Sequence, residues 1–164
     1  MLEPRLKLLQ AMPIFGAVRA DTLHFLLKIV PIVEKKKGEF YFREHDEGDC
    51  MYVLERGKAA ALKHWQGHDY LVNQLSLGDC FGEMALMDLG RRGASVLALE
   101  DCSAIQISAS NLYEIYKKDL EQFTLIQMNM GREISRRLRL ADQRLFEAKK
   151  EAIVVDGEYR FYSV

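Results

Sequence analysis

Two side chains nine positions apart carry the two halves of a binding chemistry. Glu83 is an acceptor-only carboxylate, which suits a sugar hydroxyl. Arg92 presents a planar fork of donors that can grip two phosphate oxygens at once. Gly82, having no Cβ, lets the backbone approach a ligand closely. Glu83-Met84-Ala85-Leu86-Met87 reads as one short helical turn whose first N–H groups point at an anion. Gly93 and Ala94 are too small to block access to the arginine. Within the sixteen residues Phe81–Val96 the order is acid, helix start, short loop, arginine, two small residues and the Ser95 hydroxyl. That order describes a seat for a small anionic nucleotide. The competing reading, a surface arginine and a solvated acid, explains single residues but not their sequence.

Other chemistries find less support. A metal-dependent jelly-roll enzyme needs several histidines and an acid converging from neighbouring strands. The four histidines here are His24, His45, His64 and His68. His64 and His68 flank Gly67 in an expected turn, and no H-x-H followed by an acid is present, so no metal site is expected. Ser95 has no histidine near it in sequence, and Cys80 sits in a turn, so neither is an evident nucleophile and no catalytic residue is assigned. Cys50, Cys80 and Cys102 show no C-x-x-C spacing and form no even disulfide set, which points to a reduced compartment. No leader pattern or apolar run of bilayer length is present. A cytoplasmic protein without membrane contact is expected. The formal net charge of −1 gives no general pull toward nucleic acid or anionic lipid.

These side chains need a frame. Leu6–Gln10 and Asp21–Lys28 read as short helices, with Asp21 and Thr22 able to cap the second. From Ile29 to Ser108 the pattern becomes short runs ended by glycine. The runs are 29–36, 40–42, 51–55, 59–64, 70–75, 95–99 and 103–107. Regularly spaced strands with such turns indicate a sandwich or barrel. Asn111–Lys118 is a short amphipathic helix, and a long helix covers Leu120–Lys149. Along the latter Phe123, Ile126, Met130, Ile134, Leu138, Ala141, Leu145 and Ala148 recur at steps of three and four. The stripe exceeds what a small barrel covers, so a two-helix homodimer seam is expected. Residues 152–162 read as a β-hairpin around Asp156-Gly157. The chain is thus expected as a domain over 1–149 and a tail over 150–164.

The Phe81–Val96 order resembles the phosphate-binding cassette of the cyclic-nucleotide-binding domain family, F-G-E-x-A-L, a short loop, then R-small-A-T/S-V. Catabolite activators, kinase regulatory subunits and cyclic-nucleotide-gated channels share this domain. Arg43–Asp49 with Met51–Gly57, and Leu77-Gly78-Asp79, are similar to the family's loop-and-strand signature. The likeness covers about residues 8–146. It implies an α+β fold, a cupin-like β jelly-roll barrel flanked by N-terminal helices and a long C-terminal helix. It also implies that Glu83 takes the ribose 2′-OH and Arg92 the cyclic phosphate. The segment with Phe81, Gly82, Met84, Ala85, Gly93 and Ala94 would frame the ligand, partly through backbone contacts. Ser95 is implied to face the purine, an ordinary strand serine being the alternative. The resemblance also places Ala141 and Asp142 where members carry purine-contacting hydroxyls. Asp142 is therefore either a base contact or a solvated helix acid, and Leu138 an alternative apolar lid.

The expectation is a non-catalytic sensor of cAMP or cGMP, with no other cofactor. Ligand would draw the cassette helix inward through Met84, Leu86 and Met87 and re-dock the long helix. A DNA-reading winged helix does not fit the fifteen residues after Lys149, so no direct DNA binding is expected. The signal would leave through a separate effector protein. A degenerate fold used as an interaction scaffold is the runner-up, and a cupin-type metalloenzyme follows it.

Overall fold

The computed structural model describes residues 2–149, 153–155 and 161–163. The chain divides into two compact units, residues 1–129 and 130–164. The first unit is a β jelly-roll built from two four-stranded antiparallel sheets. Its strands are β1 (Ile32–Lys35), β2 (Phe40–Phe42), β3 (Cys50–Arg56), β4 (Ala59–Trp65), β5 (His68–Leu75), β6 (Cys80–Phe81), β7 (Ser95–Ala98) and β8 (Cys102–Ser108). One sheet runs β1-β8-β3-β6 and the other β2-β7-β4-β5. Seven of these strands fall where glycine punctuation and β-branched or aromatic runs place them. The eighth, β6, is only two residues long and carries no periodicity to read.

The glycines act through their backbone. Gln66 and Gly67 both take positive φ, 49° and 80°, the pair of left-handed residues that a tight β4–β5 hairpin requires. The sheets enclose a core of Tyr41, Tyr52, Leu54, Phe81, Val96, Ala98 and Ala104, all buried. Tyr52 and Phe81 stack at 5.2 Å, and Tyr41 meets Phe81 edge-on at 5.0 Å. The aromatic quadrupole favours both arrangements. This cluster fixes β6, and therefore the start of the cassette, to β3.

Helices flank the barrel as expected, with corrected ends. They are α1 (Leu2–Gln10), α2 (Ala20–Ile29), α3 (Glu83–Asp88), α4 (Ala109–Lys118) and α5 (Leu120–Lys149), with a 3-10 turn at Pro13–Phe15. Asp21 and Thr22 are not caps: they lie inside the first turn of α2, whose N-cap is Arg19. Arg19 holds that place because partners a hundred residues away bind it. Its backbone N–H donates to Gln122 Oε1 at 2.7 Å, and its guanidinium pairs with Asp119. Asp119 also accepts from the Gln122 N–H at 3.1 Å and so caps α5. Asn129 donates to the Gly16 carbonyl at 2.9 Å. Buried Gln122 and Asn129 thus tie the first part of α5 to the N-terminal segment. Helix α4 starts with a capping box between Ser108 and Asn111.

Helix α1 is pinned to the barrel by a forked ion pair. Arg5 Nε and Nη2 donate to the two Glu55 carboxylate oxygens at 2.6 and 2.8 Å, and Ser103 Oγ donates to Oε1 at 2.7 Å. The Arg5 hydrogen bonds hold the Glu55 carboxyl below its ordinary value of 4.5; burial opposes this and Ser103 assists it. A folded-state pKa below the unfolded one gives stability that is complete above pH 4.5 and lost as pH falls through the depressed value. The Tm of the wild type is therefore expected to drop more steeply than that of Glu55→Gln as pH falls below about 4.5. Parallel acid limbs in thermal melts would contradict this.

The second unit holds the rest of α5 and a two-stranded antiparallel sheet. There β9 (Ile153–Val155) pairs with β10 (Phe161–Ser163) in the register Val155–Phe161 and Ile153–Ser163. The Asp156-Gly157 turn expected between them lies outside the described residues. From Ser135 to Lys149 every position of α5 is exposed, including Leu138, Leu145 and Phe146.

Candidate functional site

The cassette starts where β6 turns into α3. Gly82 sits at the N-cap of α3 with φ 81°. A Cβ there would lie 2.5 Å from Arg92 Nη1 and 3.2 Å from the Cys50 carbonyl oxygen. Glycine is therefore required twice, for the left-handed turn and for the closeness of the arginine. Glu83, the first residue of α3, is buried at 2% exposure, and Ala85 beyond it is buried too. An ionisable carboxylate inside a protein is held by specific polar partners. Met84 points out to solvent at 59% exposure, so it frames the site from outside.

Arg92 is the centre of the arrangement. It is only 4% exposed, which is rare for an arginine. Nη1 donates to the Cys50 carbonyl at 2.7 Å and to the Gly82 carbonyl at 2.8 Å. Nη2 reaches Cys50 Sγ at 3.3 Å. The guanidinium lies over the Phe42 ring with Cζ 4.1 Å from its centroid, within cation–π range. Nε is buried and has no hydrogen-bond partner among the described residues. The loop before β3 abuts the same group: a Cβ on Gly48 would stand 2.8 Å from Arg92 Nε and 2.6 Å from Ala85 Cβ. Gly48 also lines a cavity of about 360 Å³ with Glu47, Asp49, Leu89, Gly90 and Arg91.

The main chain locks this segment in place. Arg92 N–H donates to the Asp46 carbonyl at 2.8 Å, and His45 N–H donates to the Arg92 carbonyl at 2.9 Å. Arg91 reaches the same loop through Nη1 to the His45 carbonyl at 2.9 Å, with its side chain exposed. The two neighbouring arginines therefore differ in kind: Arg92 turns in and Arg91 turns out.

Structure groups Phe81, Gly82, Glu83, Ala85 and Arg92 along the β6–α3 junction and its facing loop. Gly93 follows at the surface, and a Cβ there would meet nothing within 4 Å. Ala94 is half-buried. Ser95 is corrected. Val96 and Ala98 of β7 belong to the core, so strand alternation puts Ser95 on the other face. Its Oγ accepts from the Glu44 N–H at 2.9 Å. It lines a separate cavity of about 270 Å³ with Phe40, Arg43, Glu44, His45, His64 and Asp69. The hydroxyl serves the fold there and does not face Arg92. Asp142 belongs to the second unit, where its side chain is exposed. Phe42, Gly48 and Cys50 join the site without having been singled out from the sequence. Gly48 carried a signal through the Asp46-Glu47-Gly48-Asp49 loop, while Phe42 read as a strand residue and Cys50 only as one of three unpaired cysteines.

Among the described residues no group of three His, Cys, Asp or Glu side chains could hold a metal. The His64 ring pairs with Asp69 at 2.8 Å at the exposed hairpin. No helix among the described residues is long and apolar enough to cross a membrane.

Known proteins resemble this chain in sequence and fold. The Thermus thermophilus cyclic AMP receptor protein is 28% identical over 134 residues, covering 81% of this chain and 60% of that protein. Human cGMP-dependent protein kinase 2 is 35% identical over 81 residues, 46% of this chain and 11% of the kinase. The chain thus spans less than two thirds of the length of these relatives. Among solved structures, the Thermus thermophilus catabolite activator protein superposes with TM-score 0.75 at 26% identity, covering 85% of this chain and 64% of that one. A cyclic nucleotide-binding domain from Methylobacillus flagellatus superposes with TM-score 0.79 at 18% identity over 90% of this chain and 83% of its own, a likeness of fold. The family described as cyclic nucleotide-binding domain matches residues 32–119, which reach from β1 through the cassette to the end of α4. On that match, and on a jelly-roll that buries its cassette acid and arginine together, this chain belongs to the cyclic nucleotide-binding domain family.

Proposed function

We propose that the chain binds a 3′,5′-cyclic nucleotide, cAMP or cGMP, and acts as a non-catalytic sensor. The observation that carries this reading is the Arg92 guanidinium, buried on strand-end carbonyls with its Nε–H unspent. A monoanionic phosphodiester would supply an acceptor for that Nε–H and a negative charge beside the guanidinium. Glu83, nine residues earlier at the head of α3, is the acceptor for the ribose 2′-OH. Gly82, Ala85, Gly93 and Ala94 leave the backbone open beside them. The test is isothermal titration of the intact protein with cAMP, cGMP and, as a control, adenosine 5′-monophosphate. Saturable binding of a cyclic nucleotide with weaker or no binding of the control is expected. Heat-silent titrations with unchanged Tm for both cyclic ligands would refute it.

The partner side of the proposal rests on α5. Its stretch 135–149 is exposed at every position yet carries Leu138, Leu140, Leu145 and Phe146, more apolar surface than an isolated helix favours. We assign that stretch to a second copy of the chain, forming a homodimer, with a separate effector reading the ligand state. Light scattering of the double variant Leu138→Glu, Leu145→Glu should give the monomer mass where the wild type gives twice that value. A wild-type monomer would dismiss the seam.

A further inference from the structure

We propose that Cys50 is a positioning residue of the anion site: its sulfur aims Arg92 without using up the donors that the ligand needs. The inference rests on the cyclic-nucleotide reading of Arg92. Both hydrogens of Nη1 are spent on main-chain carbonyls, those of Cys50 and Gly82. A nucleotide therefore cannot recruit Nη1 without breaking the β6–α3 junction. What remains for an anion is the buried Nε–H and the Nη2 amine. Among the described residues, Nη2 donates to Cys50 Sγ at 3.3 Å.

The identity of that acceptor sets the affinity. A thiol sulfur accepts weakly, so it orients Nη2 and yields to a phosphate oxygen at small cost. A carboxylate in its place would form a short, charge-assisted pair and cancel the positive charge. An alkyl group would leave Nη2 unaimed. The thiol is itself held: Tyr52 Oη lies 3.4 Å from Sγ, and Tyr52 is stacked on Phe81 in the core. Phe42 beneath the guanidinium limits its motion along the perpendicular direction. Nothing in this arrangement requires Cys50 to be solvent-accessible or redox-active, and it is 4% exposed.

Three variants of the full chain test the idea, each measured by cAMP and cGMP titration, by thermal melting and by the arginine side-chain region of the ¹⁵N–¹H spectrum. Cys50→Asp is expected to lose binding by more than about 100-fold without a matching loss of Tm, because the new carboxylate satisfies Arg92. Cys50→Ala is expected to weaken binding on the order of tenfold, and Cys50→Ser, which restores an acceptor, to recover part of it. In nucleotide-free protein the Arg92 Nη2 signal should be resolved by hindered rotation in the wild type and in Cys50→Ser, and averaged in Cys50→Ala. Wild-type affinity in Cys50→Asp and Cys50→Ala alike overturns the proposal. So does an Nη2 signal in Cys50→Ala identical to that of the wild type. If the wild type binds neither nucleotide, the sensor reading fails, and the ligand-free spectra still decide whether Cys50 aims the arginine. If Cys50→Asp does not fold, the alanine and serine pair decides.

Discussion

Arg92→Ala should remove cyclic-nucleotide binding and also lower the stability of the ligand-free protein. The two effects come from different donors of one side chain. Nε and Nη2 are the donors left for an anion, and truncating one partner of a buried charge pair costs roughly 2–5 kcal/mol. That corresponds to a loss of roughly 30- to 5,000-fold in affinity. Nη1 bridges the Cys50 and Gly82 carbonyls, and each buried carbonyl left without its donor costs about 1–3 kcal/mol. Two such carbonyls amount to about 2–6 kcal/mol, a Tm decrease of about 4–24 °C for a domain of this size. Arg92→Lys separates the two. An ammonium keeps the charge and can reach one carbonyl, but it cannot serve both carbonyls and a phosphate together. It should recover part of the stability and little of the affinity. Calorimetry alongside thermal melts reads both quantities. Wild-type affinity in Arg92→Ala would remove this residue from the anion site.

Arg91→Ala provides the contrast. Its side chain is exposed and donates to the His45 carbonyl. Surface changes of this kind stay within about 0.5 kcal/mol. The neighbouring arginines thus differ through the parity of a short extended segment, and β7 continues that parity: Val96 and Ala98 turn inward, Ser95 and Leu97 do not.

That parity also explains what was legible in the sequence. The cassette is local: acid, glycine and arginine sit within one β–α–loop, so their order alone points to the chemistry. The strand runs were readable because glycine ends them and one face is apolar. For Ser95 the resemblance implied a purine contact, with an ordinary strand serine as the alternative, and alternation from Val96 places it on the face away from Arg92. Cys50 and Phe42 were not readable at all. Their link to Arg92 crosses forty residues or more of chain and depends on two sheets meeting. The caps of α2 failed for the same reason, since Asp119 and Gln122 close that turn from the far end of the domain.

The tightness of the junction yields the other large expected effect, at Gly82. Alanine there would have to hold φ near 81°, which costs an L-residue about 1 kcal/mol or more. Its Cβ would also press on Arg92 Nη1 at 2.5 Å, on the Cys50 carbonyl oxygen at 3.2 Å and on Phe42 Cε1 at 3.3 Å. The carbonyl and the ring are fixed by β3 and β2, so the guanidinium is the group that gives way. Gly82→Ala should therefore cost about 1–3 kcal/mol through overpacking and displace the anion-binding donors at the same time. Gly48→Ala meets Arg92 from the adjoining loop, at 2.8 Å from Nε, and should act in the same direction without the backbone strain. Gly93→Ala supplies the comparison: its Cβ would meet nothing within 4 Å, and its φ is not positive, so its Tm should stay near the wild-type value. Equal melting temperatures and equal nucleotide affinities across Gly82→Ala, Gly48→Ala and Gly93→Ala would mean that the arginine is not held against these two glycines.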